Sequence, residues 1–263
     1  MNRRDRKAQA EETVRALGDG RYVTASGANV EIRHALDEAV RGTRLYTPDA
    51  PPPPASPGTH RTQVEVANET TLAGARALLD AGENPAALNF ASAKNPGGGF
   101  LGGSEAQEES LARASGLYAC LRASPYYDFH RAQRDPVYSD HLIVSPSVPV
   151  IRDDEGALLE APWPCTFVTS PAVNRGALKR PVDVAPIMRS RLAKVLDAFA
   201  AHGCVAIVLG AWGCGVFRND PVEVAHLFAE ALRTTHRGVF SQVRFSVLDR
   251  GDRGTYRAFA RAL

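Results

Sequence analysis

Three polar residues that could carry acid/base chemistry stand directly behind a glycine-rich stretch. The sequence NPGGGFLGG covers residues 95–103, and Gln107, Glu108 and Glu109 follow after a three-residue spacer. Glycines permit positive φ angles and let a ligand approach the main-chain N–H groups closely, which suits an anion such as phosphate. A carboxylate beside that ligand could act on it as a general acid or base. A simple turn before an ordinary helix would show the same residues, so the pattern leaves both interpretations open.

A second glycine-rich loop, GAWGCGVFRND, covers residues 210–220 and follows the apolar run VAIVL. Asp220 before Pro221 predicts a helix that begins there, since aspartate is a good N-cap and proline suits the first helical position. Two amide-rich loops at strand ends would suit the two phosphates of a diphosphate. Phe217 could press against a sugar or base, or pack in the core.

The first loop matches neither of two common phosphate-binding motifs. A Walker loop needs Gly-Lys-Ser/Thr at its end, whereas Lys94 precedes the glycines. The loop also does not combine the G-x-G-x-x-G spacing with the acidic partner of a dinucleotide site. Ser104 with Gln107 three residues later predicts a capping box at the start of a helix over about 105–123. The positive end of that helix would favour an anion.

The elements around these loops predict an α/β protein. A helix over about 4–17, a hairpin around Ser26-Gly27 and a proline-rich stretch at 48–60 form an N-terminal extension over residues 1–60, ahead of a main domain over 61–263. In the main domain, strands alternate with helices, which predicts a layered domain with a largely parallel sheet. Ligands bind at the carboxyl ends of such strands, and both glycine loops follow predicted strands. The predicted strands contain TQVEVAN, PAALNFA, HLIVSPSVPVI, CTFVTSP, CVAIVL and SQVRFSVLD, and the helices contain TTLAGARALLDAG, 184–202, 221–233 and the C-terminal residues.

Composition excludes several classes of function. The formal net charge of +2 is too small to favour nucleic-acid binding, and no apolar run is long enough to span a membrane. The four cysteines form no C-x-x-C pair, so neither a structural zinc site nor a disulfide framework is expected. We expect an intracellular, cytoplasmic monomer that needs no metal and no cofactor.

Other residues that could do chemistry are weaker candidates. His130, His141 and His202 are expected to be structural or solvated. Tyr126 and Tyr127 either lie near a bound base or cover the core.

Taken together, the two loops resemble a known enzyme family. A GGG tripeptide followed by Gln-Glu-Glu, as in NPGGGFLGGSEAQEES, resembles the signature of poly(ADP-ribose) glycohydrolases, and GAWGCGVFRND resembles the second phosphate loop of their macrodomain. The similarity is greatest to the short bacterial-type enzymes and covers about residues 60–263. It implies a macrodomain-like three-layer sandwich, with a mixed, mostly parallel sheet between helices, that cleaves the ribose–ribose O-glycosidic bond to release ADP-ribose.

The resemblance also implies roles for individual residues. Glu109 matches the catalytic glutamate, which would protonate the leaving hydroxyl and then deprotonate the attacking water. Glu108 matches the preceding glutamate, which binds ribose hydroxyls at the scissile end. Phe217 would pack on the ribose. The other implied ligand-binding residues are Asn95, Gly97, Gly98, Gly99, Gln107, Gly213, Cys214, Gly215 and Val216, with Cys214 acting through its backbone.

Alternative functions remain at this stage. A related hydrolase could remove single ADP-ribose units from proteins or DNA, and a non-catalytic macrodomain could only bind ADP-ribose. Domains that only bind lack the adjacent glutamates, so Glu108 and Glu109 count against the second alternative. An unrelated nucleotide phosphatase would need a metal cluster or nucleophile that the sequence does not show. The implied partners are ADP-ribose, its polymer and ADP-ribosylated proteins, in the reversal of ADP-ribosylation and the DNA damage response.

Overall fold

The computed structural model describes residues 1–252 and 254–263 and has strands and helices where the sequence predicts most of them. Its strands are β1 (Arg21–Val23), β2 (Asn29–Glu31), β3 (Arg44–Tyr46), β4 (Gln63–Ala67), β5 (Pro85–Phe90), β6 (Leu142–Arg152), β7 (Leu158–Ser170), β8 (Ala206–Leu209) and β9 (Gln242–Ser246). Its α-helices are α1 (Arg3–Asp19), α2 (Arg33–Gly42), α3 (Thr71–Asp80), α4 (Gln107–Ala114), α5 (Leu117–Leu121), α6 (Pro125–Gln133), α7 (Val184–Ala201), α8 (Pro221–Arg233) and α9 (Thr255–Ala262).

One mixed sheet forms the centre of the described chain. Its strands lie in the order β3-β6-β7-β5-β8-β9-β4. The pairs β7–β5, β5–β8, β8–β9 and β9–β4 are parallel, whereas β3–β6 and β6–β7 are antiparallel. The prediction of a mixed, mostly parallel sheet is therefore confirmed. The strands β1 and β2 pair separately as the predicted hairpin.

Helices cover both faces of this sheet and make two cores. Successive side chains of a strand point to opposite faces, and β5 shows this directly. Ala86 and Leu88 contribute to the core with α7, α8 and α9, while Ala87 contributes to the core with α3, α4, α5 and α6. Because β5 is buried on both faces, its sequence is a continuous apolar run rather than an alternating one. The result is the predicted three-layer sandwich.

The single helix predicted over 105–123 is wrong. The structure has α4 and α5 instead, separated at Ser115 and Gly116. The break lets the N–H of Gly116 donate to the carbonyl of Pro149 on β6, at 2.9 Å. A Cβ at Gly116 would lie 2.7 Å from Leu36 of α2. Packing against two other elements therefore interrupts a stretch whose local composition favours one helix.

The predicted capping box at Ser104 is also wrong. The N-cap of α4 is Ala106, which makes no side-chain capping bond. The Gln107 side chain bonds to β5 instead, because the helix starts against the end of that strand. The other predicted helix start is confirmed: Asp220 caps α8 by accepting from the N–H of Val222 at 2.8 Å.

The N-terminal residues pack closely on the rest of the chain. Strand β3 is the edge strand of the central sheet, and the proline-rich stretch follows the surface in an extended form. Within that stretch, the N–H groups of Gly58 and His60 donate to Arg237 and Gly238. The domain boundary at residue 60 stays a prediction. Among the described residues, no helix has both the length and the apolar character needed to cross a bilayer.

Candidate active site

The two glycine-rich loops lie side by side because their strands are neighbours. Strands β5 and β8 are parallel and directly paired, with Ala87 opposite Val208. The first loop (residues 91–106) leaves the carboxyl end of β5, and the second loop (residues 210–220) leaves the carboxyl end of β8. Parallel sheets bind ligands at this edge. The topology thus brings together the two loops that the sequence suggested for a diphosphate.

The glycines of the first loop are required by backbone geometry and by space. Gly97 and Gly98 have φ angles of 68° and 60°, in the left-handed region that favours glycine. A Cβ at Gly97 would lie 3.0 Å from both Ala112 and Phe100. A Cβ at Gly99 would lie 2.6 Å from the hydroxyl of Ser104. The loop therefore folds tightly onto α4, the helix that carries the glutamates.

Glu109 is held by the first loop. Its Oε1 accepts a hydrogen bond from the N–H of Gly99 at 2.9 Å, and its side chain is half-buried. The same oxygen would lie 2.4 Å from a Cβ at Gly98. The carboxylate is thus fixed against the glycines while it keeps contact with solvent, as a group that exchanges protons with a ligand and water requires.

Glu108 is in a different environment, since only 3% of its surface is exposed. Its Oε2 accepts from the N–H of Ser92 at 2.6 Å, and its Oε1 accepts from Nδ2 of Asn89 at 3.3 Å. Burial raises its pKa to about 8, and the hydrogen bond from Ser92 opposes part of that rise. The negative charge of Glu109 adds to it. Two adjacent glutamates therefore have distinct surroundings, one buried and bonded and the other accessible.

Gln107 attaches the start of α4 to β5. Its Oε1 accepts from the N–H of Phe90 at 2.9 Å, and its Nε2 donates to the carbonyl of Leu88 at 2.7 Å and to the hydroxyl of Thr71 at 3.1 Å. These bonds set the rotation of α4 and so determine where Glu108 and Glu109 point. A direct contact between Gln107 and a ligand stays a prediction.

Two buried residues of the second loop, Trp212 and Asn219, hold it in place through side-chain hydrogen bonds. The indole of Trp212 donates to the carbonyl of Ser170 at 3.1 Å, and Nδ2 of Asn219 donates to the carbonyl of Gly213 at 3.1 Å. Gly213 has φ of 74° and leaves no space for a side chain, since a Cβ would lie 2.4 Å from Ala172. Burial raises the pKa of the Cys214 thiol to about 12, so the thiol stays neutral at physiological pH.

The outer part of the second loop is accessible. Gly215 and Val216 are exposed, and beyond its chain neighbours no atom of the described residues lies within 4 Å of a Cβ built on Gly215. Phe217 is half-buried, with its ring centroid 5.9 Å from that of Tyr138. Its carbonyl accepts from the N–H of Gly176 at 3.1 Å. Phe217 therefore lies at the edge of the core, where it is partly buried against other apolar residues.

A family model described as "Microbial-type PARG, catalytic domain" matches residues 10–153, more than half of the chain and including the first loop and both glutamates. The chain belongs to the microbial-type poly(ADP-ribose) glycohydrolase family.

Solved structures of this family cover the rest of the chain. It is 52% identical to a poly(ADP-ribose) glycohydrolase from Thermomonospora curvata, with 99% of this chain and 100% of that chain covered and a TM-score of 0.93. The same enzyme bound to the inhibitor ADP-HPD gives 50% identity, the same coverage and a TM-score of 0.92. The glycohydrolase from Deinococcus radiodurans in complex with ADP-ribose gives 48% identity, covers 87% of this chain and 96% of that chain, and has a TM-score of 0.83. Curated protein sequences give no match.

These comparisons confirm the predicted family, macrodomain-like fold and enzyme class, and support poly(ADP-ribose) glycohydrolase as the activity. The roles of individual residues stay predictions. Asn95, like Lys94 beside it, is exposed on the first loop, and its main-chain N–H donates to the hydroxyl of Ser92 at 3.1 Å.

In this glycohydrolase the first loop is also held from outside by α1. Arg3 donates to the carbonyl of Gly102 and Arg6 to that of Gly103, each at 2.9 Å. Arg6 also forms an ion pair with Glu105 at 2.8 Å. Because the sequence pattern places α1 in a predicted N-terminal extension, its contact with the site could not be predicted.

Several other residues that shape the site were not predicted. Asn89 is the clearest, because its polar side chain lies inside the apolar run PAALNF and a buried polar residue needs a partner. A polar Asn89 inside an apolar strand could therefore have been recognised from the sequence as a candidate site residue. The main-chain N–H of Ser92 also binds Glu108, but nothing in the sequence indicates this.

His130 is fully buried, and burial lowers its pKa to about 4, which agrees with the structural role expected for it. Within the two described ranges, no three His, Cys, Asp or Glu side chains cluster as ligands for a metal ion.

Proposed function

We propose that Glu109 is the single acid/base residue in the cleavage of the ribose–ribose bond of poly(ADP-ribose). The observation that carries this proposal is the hydrogen bond from Gly99 to Glu109, since it fixes a partly accessible carboxylate at the loop beside the paired strand ends. Glycoside hydrolysis requires an acid to protonate the leaving oxygen and a base to activate water. One carboxyl group can do both in sequence.

Glu108 takes the ribose-binding role in this proposal. Most glycosidases use two carboxyl groups on opposite sides of the bond, but Glu108 is buried and both its oxygens already accept hydrogen bonds. It is therefore suited to holding hydroxyl groups of the scissile ribose, where a carboxylate is a strong acceptor. The diphosphate of the ligand, bound nearby, would stabilise the positive charge that develops on the sugar.

The two loops supply the ligand site. In this proposal, main-chain groups of Gly97, Gly98 and Gly99 contact the distal ribose and the diphosphate. The second loop contacts the diphosphate and ribose through Gly213, Cys214, Gly215, Val216 and Phe217. The open space at Gly215 supports close approach of a phosphate, and the N-terminus of α8 behind the loop favours negative charge.

The test is the Glu109→Gln variant. Glutamine keeps the size of the side chain but cannot act as a general acid or base, so polymer hydrolysis should fall by about 10²–10⁴-fold while ADP-ribose affinity is retained. The matched control is Glu160→Gln, at an exposed glutamate of β7, which should hydrolyse like the parent. Hydrolysis of the polymer by Glu109→Gln at the parental rate would refute the catalytic assignment. Product lengths, with a singly ADP-ribosylated protein as second substrate, separate polymer cleavage from removal of single units.

The cellular context is a further part of the proposal. ADP-ribosylated proteins would be the substrates, in reversal of ADP-ribosylation that includes the DNA damage response. The small net charge supports the absence of direct nucleic-acid binding. A monomer in the cytoplasm is the expected state, which light scattering and cell fractionation would test.

A further inference from the structure

Arg113, in the last turn of α4, is a buried arginine without an ion-pair partner among the described residues. Only 5% of its surface is exposed. Glu105 of the first loop pairs with Arg6 and Arg250 instead. Buried charges are nearly always paired, because removing a charge from water is costly. An arginine at this position therefore requires an explanation that an apolar side chain of similar size would not satisfy.

The guanidinium of Arg113 bonds to the end of the first loop and to its own helix. Its Nη1 donates to the carbonyl of Ser104 at 2.7 Å, and its Nη2 donates to the hydroxyl of Ser110 at 3.2 Å. Side chains of a helix point toward its N-terminus, so residue 113 lies over the turn that contains Glu109. The planar guanidinium, with several donors, suits two acceptors at once. Arg113 thus joins the loop to the helix that carries both glutamates.

Hydrogen bonds continue from Arg113 to Glu109 through the loop. The N–H of Ser104 donates to the carbonyl of Gly99 at 3.2 Å, and the N–H of Gly99 donates to Oε1 of Glu109 at 2.9 Å. Glu109 and Arg113 are four residues apart on α4, so they lie on the same face of that helix. The bonds therefore form a closed ring that starts and ends on one face of α4, with the turn over residues 99–104 between its two ends.

The main chain of residue 113 is held as well. Its carbonyl belongs to the last turn of α4, where carbonyls lack a partner within the helix, and it accepts from the hydroxyl of Thr13 at 2.6 Å. Thr13 is fully buried in α1 and also accepts from Nε of Arg152 on β6, at 3.1 Å. The residue that holds the loop is therefore itself attached to two other elements.

We propose that Arg113 is a positioning residue for Glu109 and that it acts through Ser104 and Gly99. By holding the turn over residues 99–104 against α4, it keeps the N–H of Gly99 where it fixes the Glu109 carboxylate for proton transfer. The inference rests on the proposed acid/base role of Glu109. Because a small displacement of a reacting group costs much of its rate, loss of this support should appear mainly in kcat.

The experiment compares Arg113→Met with Arg233→Met as a control. Methionine is a long, unbranched side chain that donates no hydrogen bond. We expect Arg113→Met to lower kcat for polymer hydrolysis about tenfold and to change KM by about twofold at most. The amide of Gly99 should exchange with solvent several-fold faster. Arg233, at the end of α8 far from the second loop, also donates to a main-chain carbonyl, that of Ala262 at 3.0 Å, and its replacement should change neither quantity.

A double variant separates positioning from a purely structural role. In the Glu109→Gln background the carboxylate that Arg113 positions is absent, so adding Arg113→Met should lower the remaining kcat by about twofold at most. An equal fall in kcat in both backgrounds would show that Arg113 acts on the fold and not through Glu109, and the inference would be wrong.

Arg113→Lys serves as the conservative variant and carries the test if the methionine variant does not fold. Lysine keeps the charge and a donor but not the fork geometry that reaches two acceptors, so the fall in kcat should be about threefold and the increase in Gly99 exchange smaller. Parental kcat and parental Gly99 exchange in the folded variants would overturn the inference. If Glu109→Gln itself hydrolyses polymer like the parent, the catalytic assignment fails, and Gly99 exchange alone then decides whether Arg113 holds the turn.

Discussion

Gly98 and Glu109 approach each other so closely that no side chain fits at the glycine. A Cβ built on Gly98 would lie 2.4 Å from Oε1 of Glu109 and 3.2 Å from Oε2 of Glu108. The glycine thus does more than permit a turn, since it leaves the space that both carboxylates occupy. Loop and carboxylates form one unit, and a change in either should disturb the other.

Gly98→Ala should therefore lower activity far more than stability. The methyl group would displace the Glu109 carboxylate from the N–H of Gly99, and we expect a fall in kcat of about 100-fold, comparable to the loss of an acid/base group. The positive φ of 60° adds a cost of about 1 kcal/mol to folding. Gly82→Ala is the matched control, because Gly82 also has positive φ but, beyond its chain neighbours, no described residue has an atom within 4 Å of its added Cβ. If the two variants hydrolyse polymer equally well, contact with Glu109 is not what requires the glycine.

Glu108 should make the stability of the protein depend on pH. Its pKa is about 8 in the folded protein and near 4.5 when unfolded, so the folded state binds more protons between these values. Stability should therefore fall as the pH rises through that window, by a few kcal/mol at most. The Glu108→Gln variant cannot ionise there, so the difference between parent and variant isolates this group. Denaturant unfolding across the window measures it, and a difference that is independent of pH would contradict the raised pKa.

Phe217→Ala should weaken catalysis while the protein stays folded. The ring is only partly buried, so we expect a loss of about 1–2 kcal/mol in the free energy of unfolding, less than for a core phenylalanine. Loss of ribose packing should raise KM or lower kcat by about tenfold. Phe228→Ala, at a fully buried residue of α8, serves as the core control and should be far less stable. A Phe217 variant as unstable as that control would show that the ring belongs to the core.

Arg6→Ala should affect the site although residue 6 is distant in sequence. It removes a hydrogen bond to Gly103 and the ion pair with Glu105, at a cost of about 1 kcal/mol in stability. We expect a several-fold fall in kcat/KM and faster hydrogen exchange of the amides of residues 97–103, since α1 holds the loop less firmly without Arg6. Lys7→Ala is the control, because Lys7 is exposed and its one ion pair among the described residues is with Glu11 of the same helix. Unchanged exchange in the loop would exclude the bracing role.

Much of the fold could be predicted from the sequence because strands and helix starts depend on residues that are neighbours along the chain. The runs PAALNF and VAIVL became β5 and β8, and Asp220-Pro221 began α8, since burial patterns and capping preferences act over a few residues. The prediction of one helix over 105–123 failed because contacts with residues distant in the sequence interrupt it. Gly116 bonds to β6 and packs against α2, and neither contact can be seen from the residues next to it.

The sequence by itself determined the two glycine loops, the Gln-Glu-Glu segment and the family they indicate, because backbone freedom and acid/base groups are properties of the residues themselves. Only the tertiary structure decided that the loops are neighbours, that Glu108 is buried while Glu109 is accessible, and that Gln107 bonds to β5 rather than to Ser104. These relationships depend on which strands pair and which helix faces pack, and such long-range contacts leave no mark in the local pattern of residues.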